Sequence, residues 1–396
     1  LIQITQSDQK SDLTNLLISF WAHIRTPHFR RVKLTTVASF NIDYLQYLTP
    51  NGELVGDKKP NVATDFEHLK SIYELMVLTR TFDAKAVALQ RTGKLGTYAS
   101  CLGHEAVHIG IGAAMAEADV FAPMYREYGA QFYRGVKLSE VLLYWGGDER
   151  GSNFSGPQHD FPWCVPIATQ CTHAAGAALA FKLRGEKRAA VSVVGDGGSS
   201  KGDFLEAINA ASAFQLPMVM MIVNNQWAIS VPRKKQSQGR TLAQKGVAGG
   251  LPSIQVDGND YIAVYTAVKA ALKRAYEGKG ASVIEAITYR LSDHTTADDA
   301  SRYRPDDEVE NAKQFEPIKR MRKYLTNQGQ WNEQLENQLL STCKVDVDAA
   351  VEEYQNASKL TVADMFDHMY AELPHDLAEQ KAYAEKIEDQ EEKSNG

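Results

Sequence analysis

Residues Ala189-Ala190-Val191-Ser192-Val193-Val194-Gly195-Asp196-Gly197-Gly198 set an apolar run directly before a glycine-rich turn. A second apolar run, Met218-Val219-Met220-Met221-Ile222-Val223, ends in Asn224-Asn225. Between them residues 204–211 read as a helix, with apolar side chains at Phe204, Leu205, Ile208 and Ala211. Strand, helix, strand is the parallel crossover unit of α/β proteins. It puts Asp196 and Asn225 at the carboxyl ends of two parallel strands, where open α/β sheets bind ligands.

The turn dictates the chemistry. Glycines let backbone N–H groups come close to a phosphate, and the following helix adds its positive end. Asp196 sits inside that turn, and a carboxylate beside a phosphate is repulsive unless a cation lies between them. Mg²⁺ suits the gap, because it takes oxygen ligands from one or two protein groups and the rest from phosphates and water. Asp196 and the amide oxygen of Asn225 would be the protein's share, which reads as a Mg²⁺-diphosphate site. A Walker A loop would need Gly-Lys-Ser/Thr where Ser200-Lys201-Gly202-Asp203 stands, and a dinucleotide fingerprint would need Gly in place of Ser200. An ordinary crossover with a glycine turn would explain Gly-Asp-Gly alone. It does not explain the pairing with Asn-Asn at a second strand end, 26 residues (198–223) further on.

Gly-Asp-Gly followed at that interval by Asn-Asn resembles the thiamine diphosphate motif. From about residue 40 to about 375 the chain resembles the E1 component alpha subunit of two-component 2-oxo acid dehydrogenases, the pyruvate and branched-chain enzymes. Arg91-Thr92-Gly93-Lys94-Leu95-Gly96 leads into Gly103-His104-Glu105-Ala106, where the family usually has Gln or Glu at the second position. Tyr125-Arg126-Glu127, Pro166-Ile167-Ala168-Thr169-Gln170, Asp257-Gly258-Asn259-Asp260 and the stretch from Tyr289 through Thr296 carry the rest, with Asp298-Asp299 and Tyr303-Arg304 following. The resemblance implies a thiamine diphosphate-binding α/β fold, a mostly parallel sheet flanked by helices, with helical N- and C-terminal extensions. It also implies roles for individual residues. Asp196 and the Asn225 side chain would ligate Mg²⁺, with the backbone carbonyl of Trp227, where the family usually has Tyr, as third protein ligand. Gly197 and Gly198 would offer N–H groups to the diphosphate. Arg126 would grip phosphate oxygens with its fork, and Tyr125 would donate its hydroxyl. Val165 and Ile167 would line the cofactor, Ile167 pressing on its rings. His294, the implied catalytic residue, would donate to the diphosphate from a mobile loop at a strand end. Thr169 and Gln170 stand where branched-chain members hold a monovalent cation such as K⁺, and read equally as polar residues opening a helix.

One motif competes. His104-Glu105-Ala106-Val107-His108 spells H-E-x-x-H, which on a helix presents two imidazoles to Zn²⁺. Gly103, Gly110 and Gly112 weaken a helix there, no third ligand stands at a recognised spacing, and Gly-x-Glu-Ala is the family's own pattern, so the zinc reading is set aside.

With 396 residues, 44% of them hydrophobic, the chain can bury a sizeable core. A net charge of −6 argues against nucleic-acid or membrane-surface partners. The four cysteines, Cys101, Cys164, Cys171 and Cys343, show neither a disulfide framework nor a zinc knuckle and point to a reduced compartment: the bacterial cytoplasm, with the mitochondrial matrix as alternative. Residues 1–60 read as a partly irregular N-terminal extension, 61–310 as the α/β domain holding the diphosphate half of the site, and 311–396 as a C-terminal helical extension with a frayed acidic tail. Within the first, the apolar residues 16–21 are too short to span a bilayer, and Asp8 and Asp12 count against a transit sequence despite Arg25, Arg30, Arg31 and Lys33. A helix is expected over 64–90, another over 261–277, and a strand over 282–289.

The resemblance also implies partners. The family takes the Glu that activates the cofactor's aminopyrimidine from a separate beta chain, which predicts an α₂β₂ heterotetramer docking to a lipoyl-bearing E2 acyltransferase. The activity implied is oxidative decarboxylation of a 2-oxo acid with acyl transfer to lipoyl groups. The stretch from Leu143 through Gly151 favours pyruvate; a branched-chain 2-oxo acid is the alternative and acetoin a third. Thr295 occupies the first phosphoserine position of the animal branched-chain enzyme and Pro305 replaces the second, which argues against a phosphorylation switch.

Overall fold

The computed structural model describes residues 35–395; the apolar and basic segments expected within residues 1–34 lie outside them. Residues 35–41 have no regular structure, and Val37 and Phe40 are exposed. From Ile42 onward the chain forms one compact unit. Its strands are β1 (Tyr44–Leu45), β2 (Val120–Ala122), β3 (Ala190–Gly195), β4 (Met218–Asn224), β5 (Trp227–Ala228), β6 (Val231–Pro232), β7 (Ser253–Asp257) and β8 (Ser282–Ile287). Its helices are α1 (Phe66–Arg91), α2 (Glu105–Ala114), α3 (Tyr128–Tyr133), α4 (Leu138–Trp145), α5 (Thr169–Arg184), α6 (Gly202–Ala213), α7 (Arg233–Gln236), α8 (Gln244–Ala248), α9 (Tyr261–Tyr276), α10 (Asp306–Ala312), α11 (Pro317–Asn327), α12 (Glu333–Gln355) and α13 (His375–Asn395).

Six strands form one sheet in the order β1-β7-β8-β4-β3-β2, every neighbouring pair parallel. All seven residues of β4 are buried, as a strand covered on both faces requires. On one face α5 and α6 press Ala174, Ala178, Phe181, Phe204 and Ile208 against Met220 and Ile222. On the other α2 and α9 press Val107, Ile111, Val264, Val268 and Leu272 against Val219, Met221 and Ile284. The expected crossover is therefore β3-α6-β4, although Leu205 of α6 faces solvent. Asp65 caps α1 by accepting from the His68 N–H, and Asp260 caps α9 by accepting from Ile262 and Ala263. Against α1 pack α11 and α12, with Met321, Tyr324, Leu325 and Trp331 joining Leu69, Ile72, Tyr73 and Met76 in a third core.

Four readings need correcting. Strand β8 ends at Ile287, so His294 lies well along the following loop and not at a strand end. Helix α9 ends at Tyr276, with Glu277 as its cap. The acidic tail belongs to one helix, His375–Asn395. And α2 is a regular helix despite Gly110 and Gly112, because these glycines are where it meets its neighbours: a Cβ on Gly110 would lie 2.7 Å from Val264 Cγ1, and one on Gly112 2.8 Å from the Ala130 carbonyl oxygen. Among the described residues no helix is long and apolar enough to cross a membrane.

Candidate active site

Parallel strands of one sheet open their carboxyl ends toward the same edge, and the loops after β2, β3, β4 and β8 carry most of the site residues expected from sequence. After β3, Asp196 is buried and its Oδ2 has no hydrogen-bond partner. Burial pushes this carboxyl up to about 6, against the pull of its own turn's N–H groups and of Arg290 and Arg233. The turn is braced from outside: Ser199 donates its hydroxyl to the Asp196 carbonyl at 2.6 Å, and Lys245 Nζ donates to the Ser199 carbonyl at 2.6 Å. A Cβ on Gly197 would stand 2.6 Å from Ala228 Cβ, and one on Gly198 2.6 Å from Val194 Cγ2 and 3.0 Å from Ile167 Cγ2. Only glycine fits at either position, and Gly198 is thereby seated against Ile167.

After β4 the two asparagines part. Asn224 donates to Glu285 Oε1 at 2.7 Å and braces the core. Asn225 donates from Nδ2 to His104 Nε2 at 3.2 Å, while its Oδ1 accepts from the Trp227 N–H at 3.2 Å. Gln226 and Ile229 both take left-handed backbone angles, φ +73° and +56°, around the β5-β6 hairpin. Non-glycine residues held this way cluster at functional sites. The Trp227 ring is buried, its indole N–H donating to Glu308 at 2.9 Å; its carbonyl accepts only a long 3.4 Å bond from Arg290.

The loops after β2 and β8 meet directly. Glu127 accepts from the Met124 and Arg126 N–H groups at 2.8 and 3.3 Å and fixes the Tyr125-Arg126 turn. Arg126 donates to the carbonyls of Ser100 and His294, the latter at 2.9 Å, and its buried Nε has no partner. Tyr125 Oη lies 3.4 Å from His294 Nε2. Asp298 anchors the loop by accepting from the His294 N–H at 2.9 Å. Arg290, fully buried, donates to the Ile229 carbonyl at 2.9 Å and the Tyr303 hydroxyl at 2.8 Å.

His294 Nδ1 faces Arg126 Nη2 at 3.4 Å and Arg290 Nη1 at 3.3 Å, two groups that only donate. Its proton therefore sits on Nε2. Burial and the two guanidiniums lower its pKa to about 3, so the ring is neutral and keeps one N–H to give. Among the described residues neither Arg126 nor Arg290 has a carboxylate within 4.0 Å. Two buried guanidiniums so left are costly unless an anion joins them.

Val165 and Ile167 remain 51% and 37% exposed beside this edge. Ala168, at φ +70°, turns the chain into α5. There Gln170 donates to the Val193 carbonyl at 2.6 Å and leaves its buried Oε1 without a partner, while the Thr169 carbonyl accepts from Thr172 at 2.8 Å. Direct contacts thus join Tyr125, Arg126 and His294, Asn225 with Trp227, and Ile167 with Gly198. Arg290 and His104 were not singled out from sequence. A lone Arg three residues past a strand carries no local signature, and in the sequence His104 stands out only as the variable residue of Gly-x-Glu-Ala and as a zinc-ligand candidate. Glu105, between His104 and His108 in sequence, instead accepts from Arg80 at 2.6 Å, and among the described residues no cluster of three or more His, Cys, Asp and Glu side chains is placed to hold a metal ion. All four cysteines are free.

A family profile described as "Dehydrogenase E1 component" matches residues 73–363. The chain is 41% identical over 360 residues, 90% of its own length and 97% of the relative's, to a protein named pyruvate dehydrogenase E1 component subunit alpha from Staphylococcus aureus (strain Mu50). The protein of the same name from Staphylococcus epidermidis (strain ATCC 35984) is 40% identical over the same shares. The chain belongs to the dehydrogenase E1 component family, as an alpha-type chain of a 2-oxo acid dehydrogenase. That family uses thiamine diphosphate.

Proposed function

We propose that this chain is the alpha subunit of a pyruvate dehydrogenase E1 component, decarboxylating pyruvate oxidatively and passing the acetyl group to the lipoyl group of an E2 acyltransferase. The observation that carries the site reading is its charge pattern. Asp196, a buried carboxylate with one oxygen unpartnered, lies near Arg290, and Arg290 and Arg126, guanidiniums without carboxylates, converge on His294. A divalent cation bridged to a diphosphate satisfies both halves at once.

On this reading Asp196, the Asn225 amide oxygen and the Trp227 carbonyl hold Mg²⁺. The N–H groups of Gly197 and Gly198 meet the diphosphate. Arg126, Tyr125 and the Nε2–H of His294 donate to its oxygens, Arg290 adding charge from behind, and Val165 and Ile167 pack against the rings. Bound thiamine diphosphate supplies the electron sink for loss of CO₂. His294, neutral and protonated on Nε2, is the hydrogen-bond donor at that edge. The orphaned Gln170 Oε1, with Thr169, would take K⁺. We place the protein in the bacterial cytoplasm with an E1 beta chain in an α₂β₂ assembly, in line with its bacterial relatives.

Comparing kcat/KM for pyruvate, 3-methyl-2-oxobutanoate and acetoin, after co-expression with a beta chain, tests the assignment. Pyruvate is expected to lead by about tenfold or more, since one or two extra methylenes in a fitted pocket are worth about 10–200-fold. A lead for 3-methyl-2-oxobutanoate would reassign the substrate and leave the cofactor site standing.

A further inference from the structure

His104 precedes α2 and is wholly buried, its ring stacked on that of His108 with centroids 5.4 Å apart. Its Nδ1 lies 3.1 Å from the Cys101 carbonyl oxygen. A carbonyl only accepts, so Nδ1 carries the ring proton and Nε2 is left with a lone pair. The Asn225 side chain lies 3.2 Å from that lone pair. Of the two ends of an amide only the NH₂ is tolerated there; the oxygen would set lone pair against lone pair. The opposite end, Oδ1, is consequently turned toward the Trp227 backbone, 3.2 Å from its N–H.

We infer that His104 is a positioning residue that locks the Asn225 amide with its oxygen presented to the metal. This rests on the Mg²⁺ reading proposed above. Glutamine at this position offers the same polarity, a carbonyl to accept from Asn225 and an NH₂ to give to Cys101. Leucine offers neither. An orienting partner behind a metal ligand acts on metal affinity, whereas a merely space-filling residue acts on stability.

The test is calorimetric titration of Mg²⁺ into the full chain assembled with its beta chain, thiamine diphosphate saturating, with thermal midpoints recorded in parallel. His104→Leu is expected to raise the half-saturating Mg²⁺ concentration by about 10–100-fold, and His104→Gln to return it to within about threefold of the parent. In an Asn225→Asp background, where both side-chain atoms are oxygens and no orientation remains to be fixed, His104→Leu is expected to change the half-saturation by less than about twofold. An equal loss in both backgrounds, or none with Asn225 present, overturns the inference. If His104→Leu does not fold, His104→Gln decides: Mg²⁺ binding as weak as in Asn225→Ala overturns the inference, and near-parental binding upholds it. Binding of thiamine diphosphate to the unmutated protein without Mg²⁺ would instead overturn the metal reading itself.

Discussion

At the scale of single residues the site consists of charges that the unloaded fold leaves uncompensated. Asp196 pays desolvation with one oxygen unpartnered, so Asp196→Ala should abolish Mg²⁺-dependent binding of thiamine diphosphate while raising the stability of the cofactor-free protein by about 1–3 kcal/mol, the cost of one unsatisfied buried acceptor. Binding calorimetry and urea unfolding check the two halves; unchanged affinity would refute the metal assignment. His294 gives a pH signature. Unfolded, an imidazole takes its proton near 6.5; here burial, Arg126 and Arg290 hold it off until about 3. The unfolded chain then binds more protons throughout that interval, so stability is lost as pH falls from about 6.5 toward 3. His104, lowered to about 3, and His108, lowered well below its ordinary value by burial, add to the same slope. Buried carboxyls held up near 6 and 7, Asp196, Asp260 and Glu127, work in the opposite sense, so the His294 contribution is read as a difference: between pH 7 and 5 the urea midpoint of the parent should fall further, or rise less, than that of His294→Gln, and parallel profiles would show that its titration is not coupled to folding. Asp196 and Asn225 were legible in the sequence because each sits in a short motif at a strand end, and Arg126 through the Tyr125-Arg126 pair that the resemblance carries. Arg290 was not, since its role arises only when the loop after β8 folds back onto the β5-β6 hairpin.

At the scale of elements, what the chain's pattern revealed depended on how long each pattern ran. Strands β3 and β4, with five of six and all seven residues buried, announce themselves as apolar runs, whereas β1 and β2, of two and three residues, are too short to carry a period. Glycine's low helix propensity argues against α2, and packing overrides it. Its glycines are contact points, so Gly110→Ala, which pushes a methyl against Val264, should destabilise by about 1–3 kcal/mol as an overpacked core position. Gly176 lies inside α5 with nothing within 4 Å of a Cβ, and Gly176→Ala should stabilise by about 0.5–1 kcal/mol. Urea unfolding of the two variants side by side separates the readings: if both shift the midpoint the same way, intrinsic propensity and not packing governs α2.

At the scale of the whole molecule the exposed apolar side chains decide whether this chain works alone. Val165 and Ile167 lie partly exposed next to the Asp196-Gly197-Gly198 turn, and Ile229 and Val231 of the adjoining hairpin are exposed too. Single exposed hydrophobics are ordinary, but four on neighbouring loops around a binding edge mark a surface that something covers. Beside them each carboxylate has a task on the proposed reading: Asp196 would hold the metal, Glu127 accepts from the Met124 and Arg126 N–H groups, and Asp298 from the His294 N–H. On that reading none of these is left to act as acid toward the cofactor's ring, and a beta chain covering this edge would supply it. Sequence alone could not display this surface, because its loops are far apart along the chain and are gathered only by the parallel sheet. The purified chain should therefore give no pyruvate decarboxylation, turnover should appear when the beta chain is added, and amide exchange across residues 164–169 should slow in the same titration. Turnover from the chain by itself would remove the need for a partner. Turnover regained without added protection at 164–169 would mean that the partner completes the site from another side, leaving Val165 and Ile167 to the cofactor alone.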